Sequence, residues 1–435
     1  MPLSNVVLVD GVRSAFGRGG RGTLVATRLD DAAATVVRTL MERNPKVSPW
    51  MVEDMGLGNV LGAGELILIG ANNVAHLAGL PAEVCSFDTN RQCGSSMETL
   101  HRIASAIAVG SIECGIALGI ERMGRSLGGG GNGAPKTRVT EFNKKLVQMN
   151  DLQRNMAPDH STYFSVPFPD FILDASPIMS MTQTAQNVAE VYGLSREAMD
   201  EFSVQSHKKT AAAYEKGTYK DEVVPLEVEQ PVFDDKGNWL PDEHGKKIVF
   251  EQDECLRPGT NMEALGQLKP VGGIQSFGGQ EVRITAGNSC PTNDGISAAL
   301  LMSEDKARQL GLQPLARIIG MGVGGVKPQV MGLGPIPATR KALRHAGITA
   351  DQIDRVEFNE AFAAQVIPSC KELGIPLDRV NVNGGSIAIG HPLGATGARL
   401  VLAVVHELRH SNTRYGLATQ CIGAGMGIST IIERL

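Results

Sequence analysis

The second half of this sequence repeats the first at an offset of about 301 residues, so the chain has to fold as two copies of one unit. Val47-Ser48-Pro49, leading to Trp50 and Val52, lies opposite Ile348-Thr349-Ala350, leading to Ile353. Each reads as a capped short helix running into a strand. Cys114-Gly115-Ile116-Ala117 lies opposite Tyr415-Gly416-Leu417-Ala418, a strand after an amphipathic helix in both copies. Strands alternate with helices throughout, which makes each copy a layered α/β unit.

The repeat also exposes an insertion. In the second copy the strand Gly416-Leu417-Ala418-Thr419 turns directly into the last strand, 427–432. In the first copy the matching 295–300 lies far beyond Ile120, so roughly residues 122–280 interrupt the last strand pair. The expected division is therefore 1–121 plus 281–304, an inserted loop domain at 122–280, and 305–435. Within the insert, four glycines at 128–131 open a basic and polar stretch, 181–214 carries amphipathic helices, and 229–254 reads as a charged surface hairpin. An insert beside a catalytic helix forms a lid or a binding wall.

Two stretches carry candidate chemistry at equivalent places. After a short strand at 82–87, Cys93 opens a turn through Gly94, Ser95 and Ser96. Met97, Leu100, Ile103, Ala104, Ile107 and Ala108 then recur at helical spacing. With Cys93 as the first helical residue, unpaired N–H groups and the helix dipole favour its thiolate and should bring its pKa below about 8.5. A lone cysteine also reads as a small buried hydrophobe, so a partner has to decide. The run 383–397 supplies one. By the repeat it opens the helix equivalent to that of Cys93, so two helix ends present Cys93 and His391 to one cleft.

His391, between Gly390 and Pro392 in a turn bare of packing neighbours, reads as a general base that draws the Cys93 proton and leaves an ion pair. Cys421 ends a strand and opens the glycine-rich turn 421–427; it reads as a buried strand-end thiol or as a second acid/base, needed where carbon must be protonated. Asn359 begins another helix, as its cap or as the holder of a water or a developing oxyanion.

Composition excludes several classes. The 435 residues are 42% hydrophobic and 20% charged with net charge −5, ordinary for a globular protein and without a nucleic-acid footprint. Seven cysteines, an odd number with no CxxC spacing, argue against a disulfide framework and against a metal site. A first strand at 5–9 leaves no room for a leader before it, no apolar run approaches the ~20 residues of a membrane span, and the chain ends in Ile432-Glu433-Arg434-Leu435 rather than a peroxisomal address. The expected location is cytoplasmic.

The residues now in view resemble the thiolases, the acetyl-CoA C-acyltransferases. The matching motifs are Cys93-Gly94-Ser95, Asn359-Glu360-Ala361-Phe362, the run from Asn383 through His391-Pro392, and the turn from Cys421 through Gly423 to Gly427. Thr285-Ala286-Gly287-Asn288, Asn293-Asp294-Gly295 and Met331-Gly332-Leu333-Gly334-Pro335 are similar too. The resemblance covers nearly the whole chain, with the insert least secure. It implies an α/β thiolase fold of two pseudo-repeated five-layer α-β-α-β-α halves with an inserted loop domain.

The resemblance also implies a ping-pong reaction. Cys93 attacks the 3-keto carbon of a 3-ketoacyl-CoA, Cys421 protonates the departing acetyl-CoA enolate, and CoA takes the acyl group; the reverse is a Claisen condensation. It assigns the thioester oxygen of the enolate to His391 and a water on Asn359, and the acyl oxyanion to the backbone N–H groups of Cys93 and Gly423. Ser289-Cys290 departs from the pattern, with Cys290 where many thiolases have the serine of the CoA-contacting turn. Met181 and Met331 resemble the methionines that line the acyl pocket.

CoA, as co-substrate, is the only cofactor implied; Lys208, Lys209, Arg257 and Lys269 are candidates for its phosphates. The 128–131 glycines lack the Lys-Ser/Thr of a phosphate loop. The family is usually dimeric or tetrameric. The long run 128–180 is similar to the β-subunits of trifunctional fatty-acid oxidation complexes, so Pro135-Lys136-Thr137-Arg138 and Lys144-Lys145-Leu146 read as solvated surface or as a contact for a β-oxidation partner subunit or an anionic membrane. Fatty-acid β-oxidation is the expected setting. The alternatives are a short-chain acetyl-CoA C-acetyltransferase, a carrier-protein condensing enzyme, disfavoured by Cys421, and a non-catalytic acyl-CoA-binding scaffold, disfavoured by the survival of Cys93, His391 and Cys421.

Overall fold

The computed structural model describes residues 5–62, 64–66, 69–124, 179–276 and 280–435. The run 128–131, the basic stretches 135–138 and 144–146 and most of the 128–180 segment lie outside the described residues. The strands are β1 (Val6–Ser14), β2 (Gly17–Arg18), β3 (Asp54–Gly58), β4 (Cys85–Thr89), β5 (Cys114–Arg122), β6 (Val223–Val224), β7 (Leu226–Phe233), β8 (Trp239–Phe250), β9 (Asn293–Ser303), β10 (Ala316–Gly325), β11 (Arg355–Phe358), β12 (Tyr415–Ile422) and β13 (Met426–Arg434). The longer helices are α1 (Leu29–Arg43), α2 (Gly70–Leu77), α3 (Ser95–Ala108), α4 (Met181–Val191), α5 (Arg196–Lys216), α6 (Pro335–Ala346), α7 (Ala363–Leu373) and α8 (Leu393–His410).

One sheet runs in the order β11-β12-β13-β10-β1-β9-β5-β3-β4, with β2 against β9 and β6 against β1. Its two halves mirror one another about the β1–β10 pair, where Val7 faces Arg317. The repeat read from the sequence reappears as hydrogen-bond register. Met55 faces Ile116 in the parallel pair β3–β5, and Val356 faces Leu417 in the parallel pair β11–β12. Ser48 and Thr349 cap the equivalent short turns before β3 and β11.

Side-chain alternation along the strands sorts the core into layers. Val7, Ile116, Leu118, Leu300 and Met302 join α1 and α2 in one apolar cluster, while Leu417 and Ile431 join α6 and α7 in another. The intervening residues Val6, Leu8, Ala117, Leu301, Ala418, Ile428 and Ile432 all turn inward onto α3 and α8. Helix α8 is buried along most of its length, only its last turn reaching the surface with Arg409 and His410. The order is helix, sheet, helix, sheet, helix, each half supplying one wing of the continuous sheet and one of the two central helices.

The segment between β5 and β9 is tied to β1 by a buried charge cluster. Arg13, fully buried, pairs through Nε with Glu222 at 2.7 Å and through Nη1 and Nη2 with Asp253 at 2.8 and 3.0 Å. Asp253 also accepts from the Phe16 N–H and the Tyr214 hydroxyl, both at 2.7 Å. The expected helices are α4, capped by Ser180, and α5, ended by Gly217; the expected charged hairpin is β7–β8.

Candidate active site

Cys93 is not the first residue of α3. The helix starts at Ser95 with Gly94 as its cap, and Gln92 takes a positive φ of 48° in the turn before it. That turn is closed by the Ser95 hydroxyl, which accepts from Arg91 N–H at 3.0 Å and donates to the Gln92 carbonyl at 2.6 Å. Gln420 of β12 clamps it from the other half, its Nε2 donating to the Cys93 carbonyl at 2.5 Å. The thiol is 8% exposed.

The sequence expectation of a lowered thiol pKa is overturned. Burial pushes Cys93 up to about 11, the nearby Glu121 carboxyl adds to the rise, and a hydrogen bond from Gly423 N–H offsets only part of it. The reason is position: two residues short of the helix, the sulfur gains little from the dipole, and desolvation dominates.

The starts of α3 and α8 are packed together. Ser96 Oγ accepts from Ala398 N–H at 2.9 Å, and Gly397 passes so close that a Cβ there would stand 2.5 Å from the Met97 nitrogen. Glu121, at the end of β5, accepts from Gly394 N–H at 2.9 Å and from the N–H groups of Val60 and Leu61.

His391 lies two residues before α8, as Cys93 lies two before α3. Its N–H donates to Asn293 Oδ1 at 2.9 Å, and Gly390 at φ +121° lets the chain pass this amide, since a Cβ there would lie 2.6 Å from it. The imidazole is held on both nitrogens. Asn359 Nδ2 lies 3.2 Å from Nε2, and Thr396 Oγ1 lies 2.7 Å from Nδ1. Burial, with the Arg399 charge beyond, pushes the ring down to about 3, so it is neutral.

Asn359 is not a helix cap. It follows β11, and α7 begins only at Ala363 with Phe362 as its cap. Its amide reaches His391 directly, and its Oδ1 accepts from Ser386 Oγ at 2.7 Å. Ser386 in turn accepts from Arg399 Nη2 at 2.7 Å, and Arg399 Nη1 lies 3.0 Å from Glu357 Oε2. Sequence reading missed Thr396, Ser386, Arg399 and Glu357. The available signal was an arginine inside the apolar run of α8, which has to find buried partners.

Cys421 is the penultimate residue of β12 and is fully buried. Burial raises its pKa well above that of a free thiol; charge on Cys93 and Cys290 raises it further, and a hydrogen bond from Gln365 opposes. Gln365 Nε2 also donates to the Asn359 carbonyl at 2.8 Å. The turn after β12 carries Gly423, whose N–H serves Cys93, and then Ala424 and Gly425 at φ 67° and 83°. Gln365 thus joins the Cys421 thiol to Asn359, Asn359 joins the His391 imidazole, and Cys93 is tied to the turn that follows Cys421.

Residues 6–305 match the family model "Thiolase, N-terminal domain" and residues 312–434 the model "Thiolase, C-terminal domain". The chain belongs to the thiolase family. It is 38% identical to the 3-ketoacyl-CoA thiolases of Vibrio vulnificus and Photobacterium profundum, over 99% and 100% of this chain respectively and 100% of each relative. Human mitochondrial 3-ketoacyl-CoA thiolase in complex with CoA superposes with a TM-score of 0.81 at 31% identity, covering 100% of this chain and 99% of that one. The acetyl-CoA acetyltransferase of Bacillus anthracis gives 0.80 at 32%, covering 99% of each chain.

The other sequence candidates of this thiolase fall into two groups. Met331, in the turn Pro328–Leu333, is 2% exposed and packs in an apolar cluster with Phe362, Ile387 and Cys421; Met181, at the start of α4, and Cys290 lie against the same cluster. Cys290 is pinned by its N–H to the Ala361 carbonyl at 2.9 Å, and charge on Cys93 raises its pKa further above its buried value. Ser289 turns its hydroxyl to the Thr285 carbonyl at 2.7 Å. Arg257, Lys269 and Lys208 are exposed, whereas Lys209 donates to the Val380 carbonyl at 3.1 Å. Among the described residues no group of three or more His, Cys, Asp or Glu is placed to hold a metal, and no helix is long and apolar enough to cross a membrane.

Proposed function

We propose that this thiolase cleaves 3-ketoacyl-CoA with CoA to give acyl-CoA and acetyl-CoA through a Cys93 acyl-enzyme. The observation that carries the reading is the seating of Cys93 against the strand end that holds Cys421, with Gln420 Nε2 donating to the carbonyl of Cys93 at 2.5 Å and Gly423 N–H to its sulfur. Of the two thiols, one is needed as nucleophile, the other to protonate carbon.

His391 Nε2 takes the Cys93 proton, and the thiolate adds to C3 of the substrate. Nε2–H is then a donor, so the N–H of Asn359 that it had bound is released. Both can turn to the thioester oxygen of the leaving fragment. The C2–C3 bond breaks, its electron pair forming the acetyl-CoA enolate, and the Cys421 thiol gives its proton to C2. The Cys421 thiolate next removes the proton of incoming CoA–SH, whose sulfur displaces Cys93 from the acyl group. Cys93 recovers its proton from His391. Through both acyl-transfer steps the N–H groups of Cys93 and Gly423 hold the oxyanion.

Fatty-acid β-oxidation is the setting that the curated relatives' names suggest. Around the site, the apolar cluster of Met181, Met331, Phe362 and Ile387 is the acyl pocket, and residues 122–280 are the domain that receives CoA, with Ser289 and Cys290 at its thioester end and Arg257 and Lys269 as phosphate contacts. The divisions 1–121 plus 281–304 and 305–435 are the two catalytic halves. The place of β4 at the edge of the sheet among the described residues supports a homodimer or a higher homo-oligomer. A cytoplasmic location and a β-oxidation partner subunit remain part of this reading. The similarity to an acetyl-CoA acetyltransferase supports a short-chain alternative.

The test is CoA-dependent cleavage of acetoacetyl-CoA and of a long-chain 3-ketoacyl-CoA side by side, with Cys93→Ala as control. Cleavage of both, lost in the variant, is the expected result. Cleavage of the four-carbon substrate alone selects the acetyltransferase, and full activity of Cys93→Ala overturns the mechanism.

A further inference from the structure

The side chain of an asparagine can present either oxygen or nitrogen to its neighbour, and which it presents to His391 decides what that imidazole can do. Two side chains behind the site, Arg399 and Ser386, settle the choice. Arg399 has donors only, so Ser386 Oγ, 2.7 Å from its Nη2, must accept there. Ser386 Oγ has no other hydrogen-bond partner among the described residues, so its single hydrogen goes to Asn359 Oδ1, also at 2.7 Å. With its oxygen turned to Ser386, Asn359 faces His391 with Nδ2, 3.2 Å from Nε2. Nε2 must then accept, so the ring hydrogen sits on Nδ1. It donates to Thr396 Oγ1 at 2.7 Å, whose own hydrogen is directed to the Pro392 carbonyl at 2.8 Å.

We infer that Arg399, held by Glu357, is a positioning residue that directs the hydrogen bonds running through Ser386 and Asn359 to Nε2, while Thr396 and the Pro392 carbonyl hold the Nδ1 side, and so keeps Nε2 the proton acceptor of His391. Arg399 touches neither Cys93 nor the ring; it acts through Ser386 and Asn359. Its place is consistent with that task. The guanidinium is 1% exposed on a central helix, Nη1 is 3.0 Å from Glu357 Oε2, Nε has no hydrogen-bond partner among the described residues, and Arg399 lines a small cavity with Glu222, His406 and Glu407. Glu357 Oε2 accepts whether or not the acid is ionised, so the direction of the line does not change with its proton. An imidazole in the opposite tautomer would offer Cys93 a hydrogen instead of a lone pair.

The inference rests on the reading of His391 as the base for Cys93, but its test does not depend on activity. In histidine labelled with 15N, the signals absent from His391→Ala belong to His391, and their shifts report which ring nitrogen carries hydrogen. In the wild type the Nδ1–H form is expected. Arg399→Gln, able to accept as well as donate, and Ser386→Ala, a small change that removes the relay, should both give a mixture of tautomers and lower kcat roughly 10–100-fold with KM little changed, a part of the full contribution of a general base. Arg399→Lys, again a donor only, should restore the Nδ1–H form and keep kcat within about fivefold.

An Nε2–H form in the wild type, or an unchanged tautomer in Ser386→Ala and Arg399→Gln, overturns the inference. Arg399→Lys behaving like Arg399→Gln in both readouts does so too, since packing rather than direction is then at stake. Retained thiolysis in His391→Ala defeats the base reading separately and leaves the tautomer result standing.

Discussion

Removing Asp253 should loosen the attachment of the inserted segment to the first half without stopping the chemistry. Its carboxylate accepts two hydrogen bonds from Arg13, one from Phe16 N–H and one from the Tyr214 hydroxyl. In Asp253→Ala the fully buried guanidinium keeps Glu222 and the Ser14 carbonyl, while Nη2, the Phe16 N–H and the Tyr214 hydroxyl lose their acceptor. Buried donors left unpaired cost about 1–3 kcal/mol each, and breaking a buried ion pair from one side about 3–5 kcal/mol in all. An unfolding entropy of ~2 cal/mol/K per residue over 435 residues makes one degree worth roughly 0.9 kcal/mol, so the midpoint should fall by about 3–5 °C if the chain melts as one unit. Arg414→Gln, which breaks the exposed pair with Glu433, is the control and should shift it by about 1 °C or less. The measurement is a thermal melt of the three proteins beside their thiolysis rates at 25 °C, with kcat of Asp253→Ala expected within a few-fold of wild type. A shift no larger than that of the control would refute the reasoning, as would lost activity at unchanged stability.

Other expectations follow from burial and backbone geometry. His101, His207 and His391 are pushed down to about 3, 4 and 3, chiefly by burial, whereas the unfolded chain titrates near 6.5. The stability they contribute is full above pH ~6.5 and falls with pH by about 1.4 kcal/mol per unit for each, as the unfolded state takes up protons. Denaturant unfolding at pH 7 and pH 5 checks this: a marked loss at pH 5, reduced in His101→Gln, is expected, and equal stability at both contradicts it. With Cys93 pushed up to about 11, iodoacetamide labelling of Cys93 in the CoA-free enzyme, followed by peptide mapping, should accelerate about tenfold per pH unit from 7 to beyond 9; a plateau near pH 8 means that the thiol is not held up. Gly390→Ala meets a positive φ and the Asn293 amide together, and should cost about 1–3 kcal/mol and most of kcat; a melt and an activity both like wild type would show that the turn is not pinned there.

What the sequence made legible, and what it did not, follows from where each signal is stored. The repeat is stored in the strands, and the registers Met55 with Ile116 and Val356 with Leu417 carry it into the sheet unchanged. Cys93 and His391 stand in turns beside glycines, and Cys421 just before such a turn, because chain that must bend near a substrate leaves a trace in residue type. The start of α3 falls two residues later than the sequence suggests, after a turn with Gln92 at positive φ whose Cys93 carbonyl is held by Gln420 in the other half, 327 positions away. The thiol pKa failed for a related reason: a dipole can be read from local sequence, but desolvation is set by what packs over the sulfur. Arg399, Ser386 and Thr396 stand on or next to ordinary helix, where nothing in composition separates a positioning group from a packing one. Only the unpaired-donor argument singles out Arg399, since a guanidinium in the middle of α8 can be buried only with acceptors already in place. Its acceptors, Glu357 and Ser386, come from a strand and from a short helix, 386–389, that precedes α8, so the line that ends on His391 exists only once the second half of the repeat has closed on itself.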